Sequence, residues 1–383
     1  MHFMLYPRVI LALAGLLSTV VPATADEPPA LLKPHFAPPD EFADLGKFRS
    51  PLTFDDGAPV KTAEDWQRRR EEIRSKWKTM LGGNLERLPS PQMKIVGEAR
   101  RENFTEYHVH VDVGPDGRKA DGYLLVPDGA GPFPAVFVPF YEPLTSIGRG
   151  KPDTIGAIDF GLRLTRLGFV SLSIGTPGSL EKPGADTREL LVSAGDELKM
   201  QPLGYLAMVA SNCHTALAGH PKVDAKRIGI VGHSYGGKWT MFASCLDDRF
   251  ACACWCDPGI VFDETNRSIN YWEPWYIGWS EGTKRKPGVP TADNPRTGLY
   301  KTLFEHNSRE MIELHALAAP RPILISGGSE DRPQHWRAAN HLIAVNKLLG
   351  QENRVLMTTR DGHRPTPEAV KVIDAFFVNY LKP

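Results

Sequence analysis

Gly232-His233-Ser234-Tyr235-Gly236 places a serine between glycines two residues to either side. An apolar run, Arg227-Ile228-Gly229-Ile230-Val231, leads directly into it, and a helix-forming stretch, Lys238 to Leu246, follows. A serine on a strand-to-helix turn projects its hydroxyl at the tip of a sheet, and the flanking glycines remove Cβ atoms that would clash there. The helix N-terminus behind it favours negative charge developing on a nearby oxygen. A hydroxyl is a poor nucleophile until a base takes its proton, and the base needs a carboxylate to orient it.

For a serine on such a turn the partners follow along the chain as acid, then histidine. His363, in Asp361-Gly362-His363 after the last apolar strand, is the expected base. His233, His315, His335 and His341 compete, but none of them follows a strand after the acid. The acid is expected in Ser329-Glu330-Asp331, where Asp331 is favoured by its spacing from Gly328 and Glu330 is the alternative. Asp361 reads as a turn residue. An oxyanion needs two donors: the N–H of Tyr235, after the nucleophile, and an N–H from Phe140-Tyr141-Glu142-Pro143, with Tyr141 the best candidate.

These residues must be carried by a sheet. Residues 93–100, 104–113 and 119–127 read as an antiparallel opening with a Gly-Pro-Asp-Gly turn at 114–117. Apolar strands at 134–140, 169–175, 227–233, 250–256, 322–328 and 354–360 then alternate with helices at 156–167, 188–219, 236–246, 334–349 and 366–381. This pattern predicts an α/β fold, a mostly parallel central sheet covered by helices on both faces, with the site at the C-terminal strand edge. One α/β domain, 93–383, follows an arm and helix over 26–92. Thr62 and Asp65 form a capping box for that helix, whose apolar stripe is Trp66, Ile73, Trp77 and Leu81. Arg68 to Glu72 read as its solvated face, with Glu72 and Lys76 paired four residues apart.

Lys plus Arg equals Asp plus Glu at 45 each, which argues against nucleic-acid binding and against a polybasic membrane-surface protein. The first 25 residues combine Arg8, an apolar run from Val9 to Val21 and Ala23-Thr24-Ala25, the pattern of an export signal cut after Ala25. No later segment is long and apolar enough to span a bilayer, so an exported chain with no membrane association after cleavage is expected. Among the 5 cysteines, Cys252, Cys254 and Cys256 read as small apolar residues on one strand face, while Cys213 and Cys245 would pair if their helices met. Spacing for a metal site is lacking.

At these residues the chain resembles the α/β-hydrolase superfamily, and within it the dienelactone hydrolase and acetyl xylan esterase group of exported carbohydrate esterases. The likeness runs over about residues 60 to 380 and includes Gly232 to Gly237, Glu313 to Asp331 and Asp361 to Glu368. It implies a serine carboxylesterase with no cofactor and no metal, with Ser234, Asp331 and His363 as triad, acting on small-molecule or polysaccharide esters. The chain is also similar to the glucuronoyl methylesterases. There Lys238 matches a lysine that binds sugar hydroxyls, whereas Tyr235 replaces an oxyanion-holding arginine and His233 replaces a cysteine. A peptidase of the prolyl-oligopeptidase type shares the triad order. The insertion at 257–318 places aromatics at Tyr271, Trp272, Trp275, Tyr276 and Trp279, which would suit stacking of sugar rings or simply a packed cap. Lys238, Trp272, Trp275 and Glu142 are therefore the candidate substrate contacts, and His315 reads as a buried, hydrogen-bonded support.

Overall fold

The computed structural model describes residues 27–83, 86–115, 117–306 and 310–382, so the expected export segment lies outside the described residues. The strands are β1 (Met93–Arg101), β2 (Phe104–Asp112), β3 (Lys119–Pro127), β4 (Phe133–Pro139), β5 (Val170–Ile174), β6 (Val223–His233), β7 (Ala253–Cys256), β8 (Ile323–Ser326) and β9 (Val355–Thr358). They form a 9-stranded sheet in the order β1-β2-β3-β5-β4-β6-β7-β8-β9. The first three pair antiparallel and β3 meets β5 antiparallel, whereas β5, β4, β6, β7, β8 and β9 run parallel. The parallel strands are largely apolar because both faces are covered: every residue of β5, β7, β8 and β9 is buried.

The helices are α1 (Ala63–Leu81), α2 (Pro143–Ser146), α3 (Phe160–Arg166), α4 (Thr187–Leu198), α5 (Pro202–Ala218), α6 (Tyr235–Leu246), α7 (Gly298–Glu305), α8 (Ile312–Ala316), α9 (Trp336–Leu348) and α10 (Pro367–Leu381). The expected long helix at 188–219 is two. Lys199 takes a left-handed φ of 56° and closes α4, and Pro202 opens α5 at a position where the missing N–H costs nothing. No helix among the described residues is long and apolar enough to cross a membrane.

Helix α1 carries the expected capping box of Thr62 and Asp65, but only part of its charged run is solvated: Arg68 and Glu71 are exposed, whereas the other arginines turn inward. Arg69 is 0% exposed and pairs with Glu313 of α8, Glu72 and Asp55. Arg70 and Arg74 both reach Asp248 beyond α6, and Lys76 turns to Asp55 rather than to Glu72. A buried guanidinium needs its donors filled, and two of these carboxylates, Glu313 and Asp248, come from far along the chain. The five cysteines are free and buried.

Candidate active site

The parallel strands deliver their C-terminal ends to one edge. The Ser234 N–H donates to Cys256 O at 2.9 Å, Asp257 N–H to Ser326 O at 3.1 Å, and Gly327 N–H to Thr358 O at 2.9 Å, so the residues just beyond β6, β7 and β8 share one layer. Ser234 sits at φ 55°, ψ −111° and is the N-cap of α6. Its glycine neighbours are sterically required. A Cβ on Gly232 would lie 2.2 Å from Gly236 O, and one on Gly236 would lie 2.2 Å from Pro139 O. Strain held this way at a non-glycine residue is a mark of functional positions.

His363 lies at this edge, its ring 4.3 Å from that of His233, and it lines the same cavity as Ser234. Its carboxylate partner is not Asp331. His363 Nδ1 is 2.6 Å from Asp257 Oδ2 and 3.3 Å from Glu330 Oε1. Asp331 points away. Its fully buried carboxylate accepts from the N–H groups of Gly259 at 2.9 Å and Ile260 at 2.6 Å, and His335 Nδ1 stands 3.3 Å away. Sheet order explains the difference. A histidine from β9 must reach across three strand spacings of roughly 4.8 Å each to meet a serine on β6, and the tip of β7 lies beneath that path. Asp257 occupies that tip in a left-handed conformation, φ 52°. Its Oδ1 accepts from Gly328 N–H at 2.7 Å, Asp331 N–H at 2.9 Å and Glu330 N–H at 3.2 Å, which leaves Oδ2 facing the imidazole. Sequence reasoning took 257 as the start of the insertion, although an acid one residue past a parallel strand carries the same signal as one past β8.

Burial pushes the Glu330 carboxyl up to about 7, helped by the charges of Asp257 and Asp331 and opposed by Lys238 and His363. Burial, with the neighbouring His363 charge, keeps His233 well below the usual histidine range. Arg360 fixes the loop that carries His363. It donates to His363 O at 2.6 Å, Arg364 O at 2.7 Å, Gly327 O at 2.8 Å and Ser326 O at 2.9 Å. Sequence reading missed it, because an arginine at a strand end carries no distinctive spacing.

Tyr235 is the first residue of α6, where N–H groups have no partner within the helix. Tyr141 follows β4 next to it, and the two rings stack at 4.4 Å. Thr176 ties them, its N–H and hydroxyl reaching Tyr141 O at 3.0 Å and its hydroxyl lying 3.3 Å from the Tyr235 hydroxyl. The two peptide donors expected for an oxyanion thus sit on adjoining strand ends.

Ser234 and His363 open into a cavity of about 820 Å³. Glu142 lines it, but as the N-cap of α2: its carboxylate accepts from the Leu144 and Thr145 N–H groups and from the Thr145 hydroxyl. Lys238 faces neither solvent nor substrate. It is 1% exposed, with Nζ donating to Pro258 O at 2.7 Å, 3.4 Å from Glu330 Oε2 and 4.9 Å above the Tyr271 ring. The insertion folds over it, a contact from 20 residues away that first-turn helix geometry does not foretell. Trp272 is 1% exposed and belongs to the core, its Nε1–H donating to Glu273 at 3.2 Å. Trp275 differs. It lines a neighbouring cavity of about 430 Å³ shared with Tyr141 and Tyr235, with the Arg188 guanidinium 5.0 Å over its ring. His315 is buried in α8 beside Trp255, but its Nε2 has no hydrogen-bond partner among the described residues. The described residues hold two groups with metal-ligating atoms close together, Asp257 with Glu330 and His363, and His108 with His110 and Asp121.

A family model described as the prolyl oligopeptidase family matches residues 210–383, which run from α5 through the nucleophile turn and both later loops. A carbohydrate esterase named MZ0003, from an unknown prokaryotic organism, is 29% identical over 141 residues, a stretch that covers 33% of this chain and 29% of that protein. A solved glucuronoyl esterase from Solibacter usitatus superposes with a TM-score of 0.66 at 17% identity, over 87% of this chain and 97% of that one. A promiscuous CE15 esterase from a marine bacterial metagenome gives 0.65 at 18% identity, over 87% and 96%. The chain has the α/β-hydrolase fold.

Proposed function

We propose that this protein is a serine esterase of carbohydrate esters, working through an acyl-serine. The observation that carries the reading is the 2.6 Å contact of His363 Nδ1 with Asp257, at the sheet edge that also holds Ser234 on a glycine-bracketed turn. With Asp257 holding the Nδ1–H, the other ring nitrogen is free to take the serine proton. Ser234 Oγ then attacks the ester carbonyl, the Tyr235 and Tyr141 N–H groups receive the oxyanion, and the imidazolium returns its proton to the departing alcohol. Water repeats the sequence on the acyl-serine. Donor pairs of this kind contribute about 10² to 10³ each in turnover.

Among sugar esters, acetyl and other small acyl groups come first. Lys238, which in glucuronoyl methylesterases would meet sugar hydroxyls, is sequestered here. Methyl-glucuronoyl esters are the second reading, favoured by the names of the structural relatives and by Arg149, Lys151 and Arg364 at the cavity wall. Residues 1–25 support export, so the substrate is expected in the periplasm or outside the cell. The test is a panel of acetylated xylan, methyl glucuronate esters, nitrophenyl esters and prolyl-arylamides. Ester turnover that Ser234→Ala abolishes, with fluorophosphonate labelling of Ser234, is the expected result. Undiminished turnover in that variant overturns the serine mechanism, and preference for the arylamide overturns the esterase reading.

A further inference from the structure

We infer that His108, His110 and Asp121 form a zinc site on the rim of the reaction cavity, distinct from the acid–base pair. Strands β2 and β3 pair antiparallel with His110 opposite Asp121 and His108 opposite Tyr123. Residues two apart share a sheet face, and directly opposed residues share it too, so these side chains project together. His108 Nε2 lies 2.6 Å and His110 Nε2 3.8 Å from the same atom, Asp121 Oδ1. All three ligand atoms lie within 4.8 Å of one another. Zinc takes histidine nitrogen and carboxylate oxygen at about 2.0 to 2.2 Å in a tetrahedron, which places neighbouring ligand atoms roughly 3.3 Å apart. The observed 2.6 and 3.8 Å lie on either side of that spacing.

The surroundings fit an open site. The three side chains are 36%, 28% and 26% exposed, neither sealed in the core nor fully solvated. The two imidazole rings stand at 90° with centroids 5.5 Å apart, so they approach a common point from different directions. Tyr123 stacks on His108 at 4.9 Å and holds its ring plane. His108 and Asp121 line the same cavity as Ser234 and His363. Three protein ligands leave a fourth position for water or an oxygen of an incoming molecule, and two of the three, His108 and Asp121, line the cavity. Ligand choice favours a borderline cation over magnesium or calcium, which prefer oxygen throughout.

The experiment is calorimetric titration of the chelator-treated, tag-free full chain with zinc chloride. One ion per chain with a micromolar or tighter dissociation constant is expected. His108→Ala, His110→Gln and Asp121→Asn should each weaken it by at least about tenfold, while His363→Ala leaves it unchanged. Cobalt(II) should give visible ligand-field bands in the wild type that Asp121→Asn removes. Absence of saturable binding to the wild type overturns the site. So does binding that survives His110→Gln and Asp121→Asn, or that His363→Ala abolishes, since the ion would then lie elsewhere.

Discussion

Replacing Asp257 by asparagine separates the two acids that the sheet edge offers. Oδ1 of Asp257 is held by three N–H groups of the β8 loop, so an asparagine keeps its oxygen there and turns its NH₂ toward His363 Nδ1. A donor facing Nδ1 forces the proton onto the other ring nitrogen, the one that must accept from serine, which is the wrong tautomer for a base. The variant also loses the charge that stabilises the imidazolium. A unit pair at about 4 Å is worth about 4 kcal/mol at an effective dielectric near 20, and each 1.36 kcal/mol is tenfold. The expected fall in kcat/KM on a nitrophenyl ester is therefore about 10³ to 10⁴, with an unchanged circular dichroism spectrum. Asp331→Asn, which disturbs the Gly259 and Ile260 amides and the His335 contact, should keep most turnover while losing about 1 to 3 kcal/mol of stability through an unmatched buried donor. If Asp331→Asn abolishes turnover in a folded chain while Asp257→Asn leaves it intact, the assignment of the acid to β7 is refuted.

Glu330 holds its proton in the folded chain up to about 7 because it is buried, whereas an unfolded glutamate loses it near 4.5. The folded state then binds more protons between those values, so stability falls as pH rises through that window, by roughly 3 kcal/mol from this group. Glu330→Gln should flatten urea midpoints compared at either end of the window. Glu310, raised to about 7 by its own burial, keeps a share of the slope, and an unaltered slope would contradict the assignment. Arg360→Ala should lower kcat by about 10² with KM nearly constant, since a misplaced base costs this much; added guanidinium should restore part of it, and a change in KM alone would argue against positioning. Trp272→Ala should cost about 3 to 5 kcal/mol in thermal or urea unfolding, as for other buried tryptophans. Trp275→Ala, at a buried ring that also lines the neighbouring cavity, should raise KM for sugar esters while sparing nitrophenyl acetate.

The serine and the histidine were legible because each is announced locally, the one by glycines bracketing a strand-to-helix turn and the other by its place after the last strand. The parallel sheet was legible for a similar reason: apolar runs bounded by helix-forming stretches leave few alternatives. Asp257 was not. Its neighbours Cys256 and Pro258 say nothing of chemistry, and its role follows only once β7 is known to lie between β6 and β8. Arg69 and Lys238 show the same limit. Arg69 reads as solvated on helical spacing and Lys238 as a substrate contact, and both are buried by partners far away in the chain, Glu313 for one and Pro258 with Glu330 for the other. Trp272 and Trp275, three residues apart, are both buried, and the insertion's path, not its composition, decides that Trp275 also lines a cavity with Tyr141 and Tyr235.

Two carboxylates beside one imidazole would ordinarily repel, and the arrangement resolves this asymmetrically. Asp257 receives three backbone donors from the β8 loop, whereas Glu330 sits buried with only Lys238 and His363 to offset the neighbouring negative charge. The burden of the shift therefore falls on Glu330. On the proposed mechanism, once His363 gains a proton in turnover the same contact at 3.3 Å favours the ionised form of Glu330. Asp257 is therefore the acid held in place by the backbone, and Glu330 the neighbour whose charge is set by burial and by the cations around it.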